Sequence, residues 1–143
     1  MKRLIDIYKE AENYGIEIDW FSMQDASSLS VRFPDGTLCI AMDPWKMHTI
    51  PEETACLTHE MGHCCTGSFY NIFATHDIRQ KHENKADKWA VNYLIPKAEL
   101  DRAVAEGHTE LWDLAEYFDV TEDFMKKAIC WYKHGNLAVD CYL

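Results

Sequence analysis

Hydrophobic side chains recur along this chain at two spacings, and the points where one gives way to the other mark out its elements. Leu4, Ile5, Tyr8 and Ala11 fall at helical spacing, with Gly15 placed to stop the turn, which predicts a helix over residues 3–14. The period then shortens to two. Ile16, Ile18 and Trp20 alternate with polar residues, Leu29, Val31 and Phe33 flank Ser30 and Arg32, and Leu38, Ile40 and Met42 follow. That alternation predicts three half-buried strands. Pro34-Asp35-Gly36, between the second and third, combines a fixed with a permissive backbone torsion and suits a hairpin turn. The expected sheet is small, three-stranded and antiparallel.

Helical spacing returns after "DPWKMHTIPEE". Thr49 and Glu52 form a capping box around Pro51, so a helix should start there, run through His59 and His63, and close at Gly67. Residues 68–80 read as a loop with some local structure. A third helix is expected to open at Glu83, with Ala86, Trp89, Ala90, Tyr93 and Leu94 in phase before Pro96. Two further amphipathic stretches follow, Leu111, Leu114, Ala115 and Phe118, then Phe124, Ala128 and Trp131, with Thr109 and Thr121 as N-caps. This gives an α+β domain over 1–143: sheet and longer helices in 1–96, and a helical tail packed on them in 97–143.

Composition narrows the partners. The chain has 143 residues and is 48% hydrophobic, enough for one real core. Its 24 acidic and 14 basic residues give a net charge of -10, which disfavours direct binding to nucleic acid. The last two amphipathic stretches resemble a helix-turn-helix, but Glu110, Asp113, Glu116, Asp119, Glu122 and Asp123 make a poor surface for phosphates. A structural helix pair, or a protein-docking surface, is the better reading. Trp112, Trp131 and "LAVDCYL" either pack on the core or form an interface. The amino-terminal segment is broken by Asp6, Lys9, Glu10 and Glu12 and has no signal-peptide core, and no apolar run reaches the ~18 residues of a membrane span. A cytoplasmic protein with its six cysteines reduced is expected.

The chemistry concentrates in "LTHEMGHCC". Four helical residues advance about 6 Å and turn about 400°, so His59 and His63 project from one face. Two imidazoles there can share one ion, and Glu60, about 100° around, can reach a water rather than the ion and act as a base. Two such histidines also occur on ordinary helices, so the reading requires a third ligand. A longer pattern with glycine three and histidine six residues after the second histidine is absent, because Thr66 and Phe69 stand there. Glu83 is the leading candidate, with His82, His76 and Asp77 as alternatives. Asp87, four residues on and on the same face, is placed to bond the outer nitrogen of a ligating histidine. Two imidazoles, one carboxylate and an open position suit zinc. Cys64 and Cys65 point away from the histidine face and are read as packing residues.

"THEMGHC" followed by "ENKADKWAVNYLIP" resembles the ImmA/IrrE family of zinc peptidases. Its second motif, Glu-x-x-Ala-Asn/Asp-x-x-Ala and then apolar residues ending in Pro, matches Glu83, Ala86, Asp87, Ala90, Leu94, Ile95 and Pro96. The spacing of Glu83 and Asp87 is also similar to that of thermolysin-like enzymes. The resemblance implies a zincin-like active-site helix with zinc on His59, His63 and Glu83, and Glu60 as catalytic base. It further implies a narrow-specificity endopeptidase whose partner is a helix-turn-helix repressor encoded beside it on a phage or mobile element. Tyr70, His76, His82 and Tyr93 are candidates for stabilising the oxyanion, and "TLCIAM" for an exposed sheet edge that receives the substrate as an added strand. The competing reading is a non-proteolytic anti-repressor with a structural metal.

Overall fold

Each change of hydrophobic period is a change of element in the computed structural model, which describes residues 2–135 and 137. In chain order these are α1 (Leu4–Asn13), β1 (Ile16–Trp20), β2 (Ser28–Arg32), β3 (Leu38–Met42), a 3₁₀ turn at Pro44–Lys46, α2 (Ile50–Thr66), α3 (His76–Leu94), α4 (Lys97–Ala105), α5 (Leu111–Phe118) and α6 (Glu122–His134). The α+β class holds. The segment 138–143, most of "LAVDCYL", lies outside the described residues.

The sheet is mixed, with order β1-β3-β2: β3 pairs antiparallel with β2 and parallel with β1. Hydrophobic alternation specifies which face a residue takes but not which strand is its neighbour, so the expected antiparallel pairing holds for β2 with β3 while β1 joins parallel. The hairpin after β2 forms as read, with Asp35 Oδ1 accepting from Thr37 N at 2.9 Å and Gly36 at φ 89°. It folds β3 back along β2. Because Cys39 to Met42 are all buried, β3 becomes the centre and its second edge takes β1. "TLCIAM" is therefore not an exposed edge; the free edges are β1 and β2.

β2 also reverses its expected faces. Ser28 and Ser30 pair with Met42 and Ile40, on the side packed against α2, whereas Leu29 and Val31 pair with Ala41 and Cys39 on the other side. Leu29 is 50% exposed. Small polar residues on the inner face leave room above α2, and that room becomes the site described below.

Beneath the sheet, Ile7 and Ala11 of α1, Ile40 and Met42, Leu57 and Met61 of α2, and Ala90, Val91 and Leu94 of α3 form the core. Thr49 caps α2 by accepting from Glu52 N at 3.2 Å, Glu52 reaches back to His48 N at 2.8 Å, and Gly67 closes the helix at φ 67°. α3 starts seven residues before the expected Glu83, because the Thr75 hydroxyl caps it by accepting from Ile78 N. The first two turns carry few apolar residues and so gave no periodic signal. α4 was not anticipated: nine residues long, it buries only Leu100 and Ala103. Thr121 caps α6 as expected, but α5 begins at Leu111 with Glu110 as N-cap and no side-chain cap, so Thr109 does not serve. α5 and α6 pack together through buried Leu114, Phe118, Phe124 and Met125, a structural pair as read, with Trp112 left exposed.

The crossing of α2 and α3 is set by a glycine. A Cβ built on Gly62 would sit 2.9 Å from Ala86 Cα and closer still to the Ala86 carbonyl oxygen. Backbone lies against backbone there, and no rotamer can relieve the overlap. Gly62→Ala should therefore destabilise the protein by roughly 2–3 kcal/mol, although alanine is the better helix former by about 1 kcal/mol. Urea denaturation of the two proteins checks both sign and size.

Candidate metal centre

α2 presents His59 and His63 on one face, as their spacing requires. α3 crosses it closely enough at Gly62 and Ala86 to bring Glu83, one turn before Ala86, against both imidazoles. His59 Nε2 lies 2.7 Å from Glu83 Oε2, His63 Nε2 lies 3.3 Å from Glu83 Oε1, and the two Nε2 atoms are 3.2 Å apart. These three residues form a group able to hold a metal ion. His82, His76 and Asp77, the alternative third ligands, do not join it.

The outer nitrogens fix the tautomers. His63 Nδ1 donates to the Ser68 carbonyl at 2.6 Å, and His59 Nδ1 donates to Asp87 Oδ1 at 2.8 Å. Both acceptors lack hydrogens, so in the neutral imidazoles each Nδ1 carries the proton and each Nε2 is a bare lone pair. Two lone pairs and a carboxylate converging on one point repel each other unless a metal ion or a proton lies between them. The spacing has the right size for one: donors about 2.0–2.1 Å from a tetrahedral ion lie roughly 3.3 Å from each other. Two of the three separations match this, and the shorter third is a hydrogen-bond length.

A further layer steadies these groups. Asp87 Oδ2 accepts from Lys127 Nζ of α6 at 3.4 Å. Ser68, nearly fully buried, shares a 2.6 Å hydroxyl bond with Thr66, which donates to the Gly62 carbonyl. Glu60 is buried, and its Oε2 accepts from the Ser28 hydroxyl at 2.7 Å. Tyr70 donates to Glu83 Oε1 at 2.7 Å and stacks on His82. His59, Glu60, His63, Tyr70 and Glu83 all open onto one cleft of about 460 Å³, roofed by Ser28, Leu29 and Ser30 of β2.

Of the four oxyanion candidates, only Tyr70 lines this cleft. Tyr93 instead donates to Glu10 and stacks on Trp89. Cys64 is buried in the core, where burial pushes its thiol up to about 12; Cys65 is exposed and does not pack as expected. Cys39, Cys56, Cys64 and Cys65 form no disulfide. Gly62, Ser28, Ser68 and Lys127 were not singled out from the sequence. Only Gly62 leaves a trace there, as a glycine inside a predicted helix.

The ionisation of the metal-free group follows from its contacts. Burial lowers the His59 pKa, but hydrogen bonds to Asp87 and Glu83 outweigh it and raise the imidazole from 6.5 to about 10. His59 and His63 hold Glu83 far below its ordinary 4.5, against the opposing effect of burial. Burial pushes Asp87 up, yet His59 and Lys127 together hold it low. Bonding to Glu83, with some burial, pushes Tyr70 up to about 12. The stability contributed by His59, raised in the fold, is full below pH 6.5 and is lost as pH rises toward 10. That from Glu83, depressed in the fold, is full above pH 4.5 and is lost on acidification. In chelator, the urea midpoint should therefore be highest between pH 4.5 and 6.5 and fall toward pH 10, and Asp87→Asn should flatten the alkaline arm. A pH series of denaturation curves measures this.

No helix among the described residues is long and apolar enough to cross a membrane. No curated protein matches the chain. Its sequence does match the IrrE N-terminal-like domain, a peptidase family, over residues 11–129, a span that takes in the sheet, α2, α3 and most of α6. With most of its length matched, the chain belongs to the IrrE N-terminal-like domain family, whose function is of the metallopeptidase type.

Proposed function

We propose that this chain is a cytoplasmic, zinc-dependent endopeptidase of narrow specificity, acting on a helix-turn-helix repressor encoded beside it on a phage or mobile element. The observation that carries the enzymatic part is the arrangement at His59, His63 and Glu83. Two tautomer-locked nitrogens stand 3.2 Å apart with one carboxylate against both, and their open side faces a cleft in whose wall Glu60 is fixed. The choice of repressor rests on the family resemblance alone.

When bound, zinc supplies Lewis acidity, polarising a carbonyl and acidifying water. The protein supplies the rest. Glu60, held by Ser28, takes the proton of the attacking water on a carboxylate oxygen and delivers it to the leaving amine nitrogen. Tyr70 is positioned to donate its hydroxyl hydrogen to the oxygen that gains charge, exchanging Glu83 for it as acceptor. Asp87 and the Ser68 carbonyl keep both Nε2 atoms turned inward throughout. The substrate strand is assigned to the free edge of β2, which roofs the cleft, in place of the central "TLCIAM".

An anti-repressor that sequesters without cutting would need neither a base nor an open vertex, since structural zinc sites fill the fourth position with protein. Glu60 and the open cleft favour the enzyme. Glu60→Gln should bind zinc as the wild type does and lose about 10²–10⁴-fold or more in cleavage rate, read by metal titration and by turnover. Incubated with the neighbouring repressor, the wild type should yield defined fragments by mass spectrometry that a chelator suppresses. A tight complex with the repressor left intact would select the anti-repressor instead.

A further inference from the structure

His59 and Ser28 border two recesses. One is the cleft already described. The other, about 340 Å³, lies between α2 and α6 and is walled by Ala55, Cys56, Phe124 and Lys127. Its size is at the low end for a ligand pocket, suited to a single side chain. The two recesses share His59 and Ser28 as walls, so the second adjoins the metal centre on the Asp87 side of His59.

We infer that the recess between α2 and α6 is a specificity subsite for one medium-sized apolar side chain next to the scissile bond. This rests on the proposed metal centre. The chemistry of the walls carries the choice. Cys56 lies one turn before His59 on the same helix face, and with Ala55 and buried Phe124 it makes an apolar floor. The polar groups around it are already engaged with each other: Ser28 with Glu60, Asp87 with His59, and Lys127 with Asp87. Lys127 is thus charge-balanced by Asp87, and Asp123 on the wall opposes an acidic guest. An acidic side chain would be desolvated there beside Asp123 with Lys127 already engaged, whereas leucine, methionine or phenylalanine would bury apolar surface.

Calorimetry on the zinc-loaded protein tests this with small hydroxamates. Acetohydroxamate carries only the metal-binding group. Two series of short peptide hydroxamates add glycine, leucine, phenylalanine or glutamate beside that group, on its acyl side in one series and on its amide side in the other. In one series leucine should bind about tenfold or more tighter than glycine, and glutamate no tighter than glycine. Cys56→Phe, which fills the recess, should abolish the leucine-to-glycine ratio. Phe124→Leu, which widens it, should move the preference toward phenylalanine. Ratios are read within each variant, so a general loss of affinity cancels, and either variant alone suffices if the other fails to fold. Equal glycine and leucine affinities in both series, a leucine-to-glycine ratio unchanged in Cys56→Phe, or a phenylalanine-to-leucine ratio unchanged in Phe124→Leu would overturn the subsite. If zinc or acetohydroxamate itself fails to bind, the metal reading falls and this inference with it, an outcome distinct from loss of selectivity alone.

Discussion

The closeness of α2 to α3 at Gly62 and Ala86 is the constraint on which the site depends. His59 and His63 come together from local helical geometry, but Glu83 is 20 residues beyond His63 and reaches them only because two backbones touch. A side chain at position 62 would push α3 outward, and donors about 3.3 Å apart leave little room for that. Ala86 and Ala90 continue the same logic on the α3 side, where both are fully buried. Packing and chemistry are thus one problem here.

Local determinants were legible in the sequence. The one-turn spacing of the histidines, the Thr49 box, the Gly67 stop and the hairpin at Asp35-Gly36 each depend on residues within a few positions of one another, and each appears in the structure. The convergence of Glu83 on the two histidines, and of Asp87 on His59, followed from placing two motifs on two helices. Strand neighbours, by contrast, are not a local property. β3 became central because it is buried on both faces, and this alone moved the exposed edge to β2. The serines of β2 face inward for a reason the alternation rule does not contain: the inner face borders a cleft, so the smaller and more polar set belongs there. The early start of α3 was hidden because His76 to Lys81 carry almost no apolar phase.

What surrounds the three donors was less visible still. The Ser68 carbonyl acts through the backbone, so no side-chain pattern could announce it. Ser28 and Lys127 arrive from β2 and α6, distant in sequence, and act on Glu60 and Asp87 rather than on the centre itself. Together they explain how a group of acceptors is kept from collapsing: every outer atom has a hydrogen-bond partner, so the inner atoms have only one direction left.

The bond from Lys127 to Asp87 spans 40 residues, and it links the histidine pair to a helix synthesised after them. A nascent chain emerging from the ribosome exposes His59, His63 and Glu83 well before α6 can dock. Until then Asp87 lacks its ammonium neighbour and the wall that carries Phe124 is missing. Vectorial synthesis therefore separates two events: the three donors are all present once Glu83 has been added, and their outer ring of charges only once Lys127 has followed.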